Sequence, residues 1–291
     1  MERERRNKLL RNLFRAVYGG VSAAVVLVLL WGSFVEPNLL FVRRYTVPIR
    51  GLPPELENTR ALVIGDTHFG GSFPERWRME RTLRYALREK PDTVWLLGDY
   101  AAAGAAHGTR AMSDEDFIRF FSGLKAPLGT YAVLGNHELW FGREKMCRLL
   151  ERSGVDMVEN KVVMLGGKLA LTGLPDRSAF PGDGKKTPPL RIGHDPLIIL
   201  THKAAMANIV KGDFSGLVVA ADTHGGQIRI PGRGSLKKFL SGKKMGPSHL
   251  FRRGGRTVFI TFGTGGHRLG FRLNCPPEIA VLTLKRGKAE I

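Results

Sequence analysis

Short apolar runs alternate with polar stretches from about residue 60 onward, and this pattern predicts a mixed α/β domain. Two stretches, residues 74–89 and 113–124, have apolar positions at helical spacing, and Ser113 can serve as an N-cap. The apolar runs of the first half have the length and the branched or aromatic side chains of buried strands. They are ALVI (61–64), TVWLL (93–97) and TYAVL (130–134).

The second half contains more predicted strands and fewer predicted helices. Its apolar runs are separated by Gly and Pro, and they are VVML, KLALTGL, PLIIL, LVVAA, TVFITF and EIAVLTL. Strands that alternate with helices first and a strand-rich region later are typical of two sheets packed face to face. We therefore predict an α/β (α+β) fold with two packed mixed sheets flanked by helices.

The N-terminal region carries the longest apolar run of the chain. Residues 16–35 contain no charge, and twenty helical residues span about 30 Å, the thickness of a hydrocarbon core. Because no A-x-A-like cleavage site follows, we expect a retained membrane anchor rather than a cleaved signal. The predicted organisation is a basic segment (1–15), a membrane-spanning or membrane-anchoring helix (16–35), a linker (36–59) and a folded domain (60–291).

The side of the membrane on which the domain lies stays open. Six basic residues precede the apolar run, which favours a cytoplasmic N-terminus and a domain on the other side. Arg43, Arg44 and Arg50 follow it, however, and a helix that lay in the interface would leave the domain in the cytoplasm. Both single-pass and monotopic attachment remain as hypotheses.

The charge of the chain indicates an anionic partner. The formal net charge is +19, and residues 223–277 contain no Asp or Glu but many Lys and Arg. Segment 234–246, GSLKKFLSGKKMG, mixes Leu and Phe with lysines, which favours an anionic membrane surface. Nucleic acid is the rival partner, but no nucleic-acid module is visible.

The two cysteines have no CxxC spacing, so neither a zinc knuckle nor a disulfide framework is indicated.

Polar residues that can bind a metal ion or take part in catalysis follow five of the predicted strands. A glycine or small residue beside each one lets the backbone turn sharply. Carboxylate, imidazole and amide groups together suit Mn, Fe or Zn rather than Ca. We therefore predict one metal site at converging strand ends. The residues are Asp66-Thr67-His68, Asp99, Asn136-His137-Glu138, Thr201-His202 and Asp222-Thr223-His224.

The series GDTH, GD, GNHE, TH and ADTHGGQ resembles the calcineurin-like metallophosphoesterase superfamily over roughly residues 40–287. The C-terminal GTGGHRLGFRLNCPPEIAVLTL is similar to its bacterial membrane-associated branch of phosphodiesterases and UDP-2,3-diacylglucosamine pyrophosphatases. The resemblance implies a four-layer α-β-β-α sandwich. It also implies that the protein is attached to the bacterial cytoplasmic membrane. It also implies hydrolysis by a hydroxide shared between two divalent cations about 3.5–4 Å apart.

The resemblance also assigns roles to residues. His137 is implied to act as general acid or charge stabiliser near the leaving group. Asp99 is implied to bridge the two cations. The ligands of the first cation are then Asp66, His68, His224 and Asp99, and those of the second are Asp99, Asn136, His202 and Asp222.

Asp222 departs from the pattern, since the superfamily has His at this position. One hypothesis is ligand exchange: the carboxylate binds the second cation and favours Mn²⁺ over softer ions. The alternative is that Asp222 turns away, which would leave a weakly active or non-enzymatic binding protein. No protein partner is indicated.

The predicted substrate is a phosphorylated, lipid-linked phosphodiester or pyrophosphate, with a UDP-2,3-diacylglucosamine-type molecule as one case. Soluble nucleotides and nucleic acid are the alternatives. Basic side chains late in the chain are candidates for lining the substrate pocket. They are His249, His267, Arg268 and Arg272.

Overall fold

The strand-forming segments assemble into two six-stranded mixed sheets and a small hairpin in the computed structural model. The structure describes residues 2–70, 75–102, 112–176, 193, 196–210, 215–241, 249–253, 256–266 and 270–287. The first sheet contains β1 (Phe41–Ile49), β2 (Arg60–Ile64), β3 (Thr93–Leu96), β4 (Thr130–Ala132), β5 (Asp156–Met157) and β14 (Glu278–Arg286). The second contains β6 (Val162–Leu165), β7 (Leu169–Leu174), β8 (Leu197–Thr201), β9 (Gly216–Ala220), β12 (Leu250–Arg253) and β13 (Arg256–Ile260). The hairpin pairs β10 (Arg229–Ile230) with β11 (Gly234–Ser235).

Parallel pairing brings the site-bearing strands side by side. The order in the first sheet is β1-β14-β2-β3-β4-β5, in which β2 to β5 are parallel. The order in the second is β12-β13-β9-β8-β7-β6, in which β13, β9, β8 and β7 are parallel. The carboxyl ends of parallel neighbours lie at one edge, which is where ligands of open α/β sheets bind.

The two sheets pack through one shared apolar layer. Along β2, Ala61 and Val63 face the second sheet, whereas Leu62 and Ile64 face the helices. This period of two is the side-chain alternation of a strand. Because both faces are covered, the strand is apolar at nearly every position. The predicted arrangement of two packed mixed sheets with flanking helices is confirmed.

Helices cover the outer face of the first sheet. Phe117, Phe120 and Met146 are buried against it. Ser113 closes a capping box with Asp116: its Oγ accepts from the Asp116 N–H, and the Asp116 carboxylate accepts from the Ser113 N–H. The bounds of these helices are α2 (Glu75–Arg88), α3 (Asp114–Ser122), α4 (Glu138–Phe141) and α5 (Arg143–Arg152). A 3₁₀ helix, Ala204–Ile209, packs on the outer face of the second sheet.

The N-terminal region forms one helix, α1 (Glu2–Leu30), which continues as a π-helical turn, Trp31–Val35, and a 3₁₀ turn, Glu36–Asn38. No residue of α1 is buried in the protein. By length and composition alone, this is the one helix of the described residues that could cross a membrane. The helix starts before the predicted span because the basic segment is also helical.

The predicted linker, residues 36–59, contains strand β1, which pairs in parallel with β14 at the edge of the first sheet. The linker prediction was therefore wrong for Phe41–Ile49. Arg43, Arg44 and Pro48 obscured the strand pattern, but an edge strand tolerates Pro because only one side of it is hydrogen-bonded. The buried side chains of Val47 and Ile49 anchor the C-terminal end of this strand to the core.

Candidate metal centre

The residues predicted for the site follow the carboxyl ends of five strands, three from the first sheet and two from the second. Because the two sheets are packed together with these ends on the same side, the polar segments converge there. Asp66 and His68 follow β2, Asp99 follows β3, Asn136 and His137 follow β4, His202 follows β8, and Asp222 and His224 follow β9.

One group of potential ligands lies between the two sheets. Atoms of Asp66, His68 and His224 lie within 4.8 Å of one another, and all three residues are buried. The Nε2 atoms of His68 and His224 are 3.1 Å apart, and their rings are stacked. One carboxylate and two imidazoles at this spacing can hold a single divalent cation.

Asp99 connects this group to two others. Its Oδ2 lies 3.6 Å from His68 Nε2, 3.4 Å from His202 Nε2 and 3.9 Å from His137 Nε2. Two further sets of atoms within 4.8 Å of one another are His68, Asp99 and His137, and Asp66, Asp99 and His202. Each pair of groups shares one residue, which is His68, Asp66 or Asp99, so the three groups form one continuous centre.

Asp222 faces the His202 side of the centre. Its Oδ1 is 3.6 Å from His202 Nε2, and its backbone N–H donates to Asp66 Oδ1 at 3.3 Å. The carboxylate is 35% exposed, which leaves it open to a cation or to substrate. Asn136 is half-buried. The next residue, His137, contacts Asp99, because its backbone N–H donates to Asp99 Oδ1 at 2.8 Å.

The backbone at these positions is strained. Five predicted ligands have positive φ angles between 44° and 68°, a conformation that is uncommon for residues other than glycine. Each such residue costs about 1–3 kcal/mol, and such strain clusters at functional sites. The five are Asp66, His68, Asp99, Asp222 and His224.

Gly135 allows the loop after β4 to pack closely against Asp99. A Cβ at Gly135 would lie 2.2 Å from Asp99 Oδ1. The GNH loop can therefore approach the carboxylate of Asp99 only because Gly135 has no side chain.

Charge crowding perturbs ionisation throughout the centre. Burial, together with the charges of Asp99 and Asp222, raises the pKa of Asp66 to about 8. Burial opposes ionisation of Asp99 as well, but His202, His68 and His137 lower its pKa below the usual range. Burial disfavours the cationic form of His202, yet Asp99, Asp66 and Asp222 raise its pKa to about 10. These shifts reflect carboxylates crowded around the imidazoles, a charge pattern that a bound cation would stabilise in place of protons.

The residues present fit divalent cations. Among the described residues, Asp66 Oδ2 and His202 Nε2 are buried and make no hydrogen bond. His202 Nδ1 donates to Leu97 O at 2.8 Å, so its other nitrogen is directed at Asp99 as a ligand would be. A bound cation would give both buried atoms a partner.

Glu138 has a structural role that its position in the GNHE motif did not reveal. Its buried carboxylate accepts from the N–H groups of Asp99, Tyr100 and Gly135 at 2.7–2.9 Å. It thereby fixes the GD loop against the GNH loop. Burial and the charge of Asp99 raise the pKa of Glu138 to about 7.

Lys203 and Asp176 were missed by the sequence analysis. Lys203 Nζ lies 2.9 Å from the buried Asp176 and 3.8 Å from Asp222 Oδ1. Both had a usable signal: Lys203 directly follows His202, and Asp176 follows strand β7 in the same way that Asp66 follows β2. Lys203 places a positive charge next to the carboxylate that replaces the expected His.

Two of the four predicted substrate-binding residues have other contacts. Arg272 is fully buried, and its guanidinium donates to the backbone carbonyls of Cys275, Phe262, Gly263 and Gly265. Because the side chain is fully buried and its two Nη atoms order this loop, it is not exposed to substrate, and that prediction was wrong.

His249 is held in a network away from the ligand cluster. Its Nε2 is 3.2 Å from Arg43 Nη1, its Nδ1 is 3.3 Å from Glu278 Oε1, and its ring packs on Phe262 at 3.7 Å. The structure does not bring it together with the predicted ligands. His267 and Arg268 lie outside the described residues.

Comparison with known proteins agrees with this geometry. The profile of the family described as calcineurin-like phosphoesterase matches residues 59–205. An uncharacterized metallophosphoesterase of Aquifex aeolicus is 27% identical, over 87% of this chain and 95% of that protein. Phosphodiesterase YaeI of Escherichia coli is 26% identical, over 87% and 88%.

A third relative, UDP-2,3-diacylglucosamine pyrophosphatase LpxG of Chlamydia muridarum, is 23% identical, over 90% of this chain and 94% of that protein. The family profile begins just before β2 and ends just after His202, so it covers the strand ends that bear four of the five motifs. From the profile match and the converging ligands together, we conclude that the chain belongs to the calcineurin-like phosphoesterase family and is a metal-dependent phosphoesterase.

Proposed function

We propose that the protein is a membrane-anchored hydrolase of phosphodiesters or pyrophosphates that uses two divalent cations, with Mn²⁺ preferred. The observation that carries the proposal is the overlap of three ligand groups in one buried centre. Its donors are carboxylates and imidazoles, and the carboxylate at position 222 makes the second site harder. Asp66, His68 and His224 would hold one ion, Asn136, His202 and Asp222 the other, and Asp99 both.

The chain's own residues orient the reaction. When bound, two such cations supply an activated water and neutralise the phosphoryl oxygens. His137 lies beside them, with Nε2 3.9 Å from Asp99 Oδ2 and its ring in edge contact with His68. In this position its imidazole can donate a proton to the leaving oxygen. The hydrogen bond from the backbone N–H of His137 to Asp99 Oδ1 holds the Asp99 carboxylate next to His137.

A lipid-linked substrate is supported by apolar surface next to His137. Leu139 and Trp140 on α4 are exposed, Trp140 to 58%. The Trp140 ring makes an edge contact with His137 at 5.4 Å. An exposed aromatic beside the reacting groups suits an acyl chain. The candidate span in Glu2–Asn38 and the likeness to a pyrophosphatase named for a diacylated substrate support the same class.

The first experiment tests hydrolysis and metal content together. We expect the full-length chain, purified in detergent, to bind about two Mn²⁺ ions and to hydrolyse bis(p-nitrophenyl) phosphate. Asp99→Ala should lose both metal and activity, whereas His137→Ala should lose activity but keep metal. Glu55→Ala, an exposed acid outside the centre, is the matched control. One inert ion in the wild-type protein would instead identify a non-enzymatic binding protein.

The second experiment tests the substrate class. Wild-type protein with Mn²⁺ is incubated with lipid-linked pyrophosphates and phosphodiesters and, separately, with nucleotides and oligonucleotides. Mass spectrometry of the products should show faster turnover of the lipid-linked molecules. Faster cleavage of the soluble nucleotides would refute the lipid assignment while leaving the hydrolase assignment intact.

A further inference from the structure

The end of the candidate membrane helix is built into the domain. The Arg272 N–H donates to Gly32 O at 2.9 Å, and a Cβ at Gly32 would lie 2.4 Å from the Phe271 ring. The buried carboxylate of Glu36 accepts from the Cys275 N–H and from Trp31 Nε1. No flexible linker therefore separates the helix from residues 271–275. If residues 16–35 cross the bilayer, this segment lies within about one helical turn of its surface.

Residues 271–275 are also hydrogen-bonded to the start of the hairpin that follows His224. The Leu273 N–H donates to Gln227 O at 2.8 Å, and the Arg229 N–H donates to Leu273 O at 2.9 Å. Gln227 Nε2 also donates to Phe271 O. Because residues 271–275 contact both the helix end and the hairpin, all three occupy one side of the molecule.

Helix α6 (Leu236–Leu240) continues from this hairpin and combines cationic and apolar side chains. Phe239 and Leu240 are 42% and 74% exposed, and no residue of α6 is buried. Lys237 and Lys238 precede them in the chain, and the Arg233 guanidinium lies over the Phe239 ring at 5.5 Å. Exposed apolar side chains beside lysines are typical of elements that lie in a membrane interface.

The charge of the surrounding chain complements anionic lipid. Residues 223–277 contain no Asp or Glu, so nothing in this stretch repels a phosphate headgroup. Each Lys or Arg near an anionic leaflet contributes about 1 kcal/mol. Trp31 and Phe34 are exposed at the helix end, which contacts residues 271–275, and they add apolar surface there. The charge of residues 223–277 and their contact with the helix end therefore both favour an anionic bilayer as the partner.

We propose that residues 228–241, here called the hairpin segment, form a second contact with an anionic bilayer, next to the helix anchor. The inference rests on the proposed membrane anchoring. It deepens the proposed function, because the hairpin segment begins four residues after His224. Docking it would hold the metal centre close to the leaflet that carries a lipid-linked substrate.

The test measures the environment of α6 directly. The full-length chain carries Cys147→Ser and Phe239→Cys, and the new cysteine is labelled with the fluorophore NBD; Cys275 is buried. The protein is placed in nanodiscs of phosphatidylcholine alone or with added phosphatidylglycerol. We expect a blue shift and brighter emission with phosphatidylglycerol. Lys237→Glu combined with Lys238→Glu, or added salt, should abolish the shift.

A label at Met164→Cys, exposed on β6 at the opposite edge of the second sheet from β12, is the matched control and should not respond to lipid. Water-like emission at position 239 in both nanodiscs would overturn the inference. A shift that follows protein concentration would assign the surface to a second copy, and one caused by a soluble oligonucleotide would assign it to nucleic acid. Hydrolysis of bis(p-nitrophenyl) phosphate, measured on the same samples, separates failure of docking from failure of the proposed function.

Discussion

At the residue scale, the clearest property of the centre is that a carboxylate, Asp222, stands where the resemblance implies His. Asp222 is directed toward His202 rather than away from it, which supports ligand exchange over a vacant position. Lys203 lies 3.8 Å from the same carboxylate and offsets its charge. A charged pair, Asp222 and Lys203, therefore stands where the resemblance implies a neutral His.

This pair gives a first prediction. Asp222→His should keep about two bound ions but shift the preference from Mn²⁺ toward Zn²⁺, since imidazole is the softer ligand. Asp222→Ala should lose one ion. Metal analysis by mass spectrometry after dialysis, with activity in each metal, measures both. Unchanged metal content in Asp222→Ala would show that Asp222 is not a ligand.

Trp140 provides a second prediction at this scale. Trp140→Ala should raise KM for a lipid-linked substrate about tenfold, because roughly 1.5 kcal/mol of apolar contact is removed. Its effect on bis(p-nitrophenyl) phosphate should be smaller, since that substrate has no acyl chain. Trp77→Ala, an exposed Trp on α2, is the control. Equal losses on both substrates would mean that Trp140 acts by positioning His137.

At the element scale, the first residue of β14 joins the two sheets. The Glu278 carboxylate accepts from Thr261 Oγ1 and the Phe262 N–H, both beyond β13, and lies beside His249, just before β12. Its own strand belongs to the first sheet. Burial opposes ionisation of Glu278, but His249, the Phe262 N–H and Arg43 lower its pKa below the ordinary 4.5.

The stability of this connection should depend on pH. Because the folded-state pKa is lowered, the charged group stabilises the fold above about pH 4.5, and this contribution is lost as pH falls through the folded value. Glu278→Gln should therefore lower the free energy of unfolding by about 1–3 kcal/mol at neutral pH. The difference from wild type should narrow in acid. Thermal unfolding from pH 7 to 3 checks this, and a constant difference would contradict it.

At the scale of the whole molecule, the N-terminal helix and the metal centre are joined by a short chain of contacts. Glu36 accepts from the Cys275 N–H, and Cys275 Sγ is 3.3 Å from His224 O. The segment that follows α1, residues 31–36, is therefore part of the folded unit. These contacts connect the centre to the end of α1 without a long intervening linker.

Glu36→Ala tests this connection. It leaves the buried Cys275 N–H and Trp31 Nε1 without their acceptor, so we expect a loss of about 1–3 kcal/mol in stability. Thermal unfolding of the full-length chain in detergent measures it. Glu55→Ala, whose ion pair with Lys168 is exposed, should change little. Equal unfolding temperatures for Glu36→Ala and wild type would show that the helix end is loosely attached.

The sequence by itself determined the fold class and the ligand types. The apolar runs predicted β2, β3 and β8 to within a residue, because strands buried on both faces are apolar throughout. The motifs after them predicted one centre, since parallel strand ends meet at one edge. These are local signals, in which the residue and its neighbours along the chain contain the information.

Only the tertiary structure decided which polar residues face the centre and which face the framework. Arg272, Glu138 and Lys203 are all polar residues in or near motifs, yet one orders a loop, one joins two loops and one balances Asp222. Strand β1 likewise has its partner, β14, more than 200 residues away. The reason is physical: a polar side chain takes its role from the groups it meets across the fold, and those contacts are set by packing between distant segments.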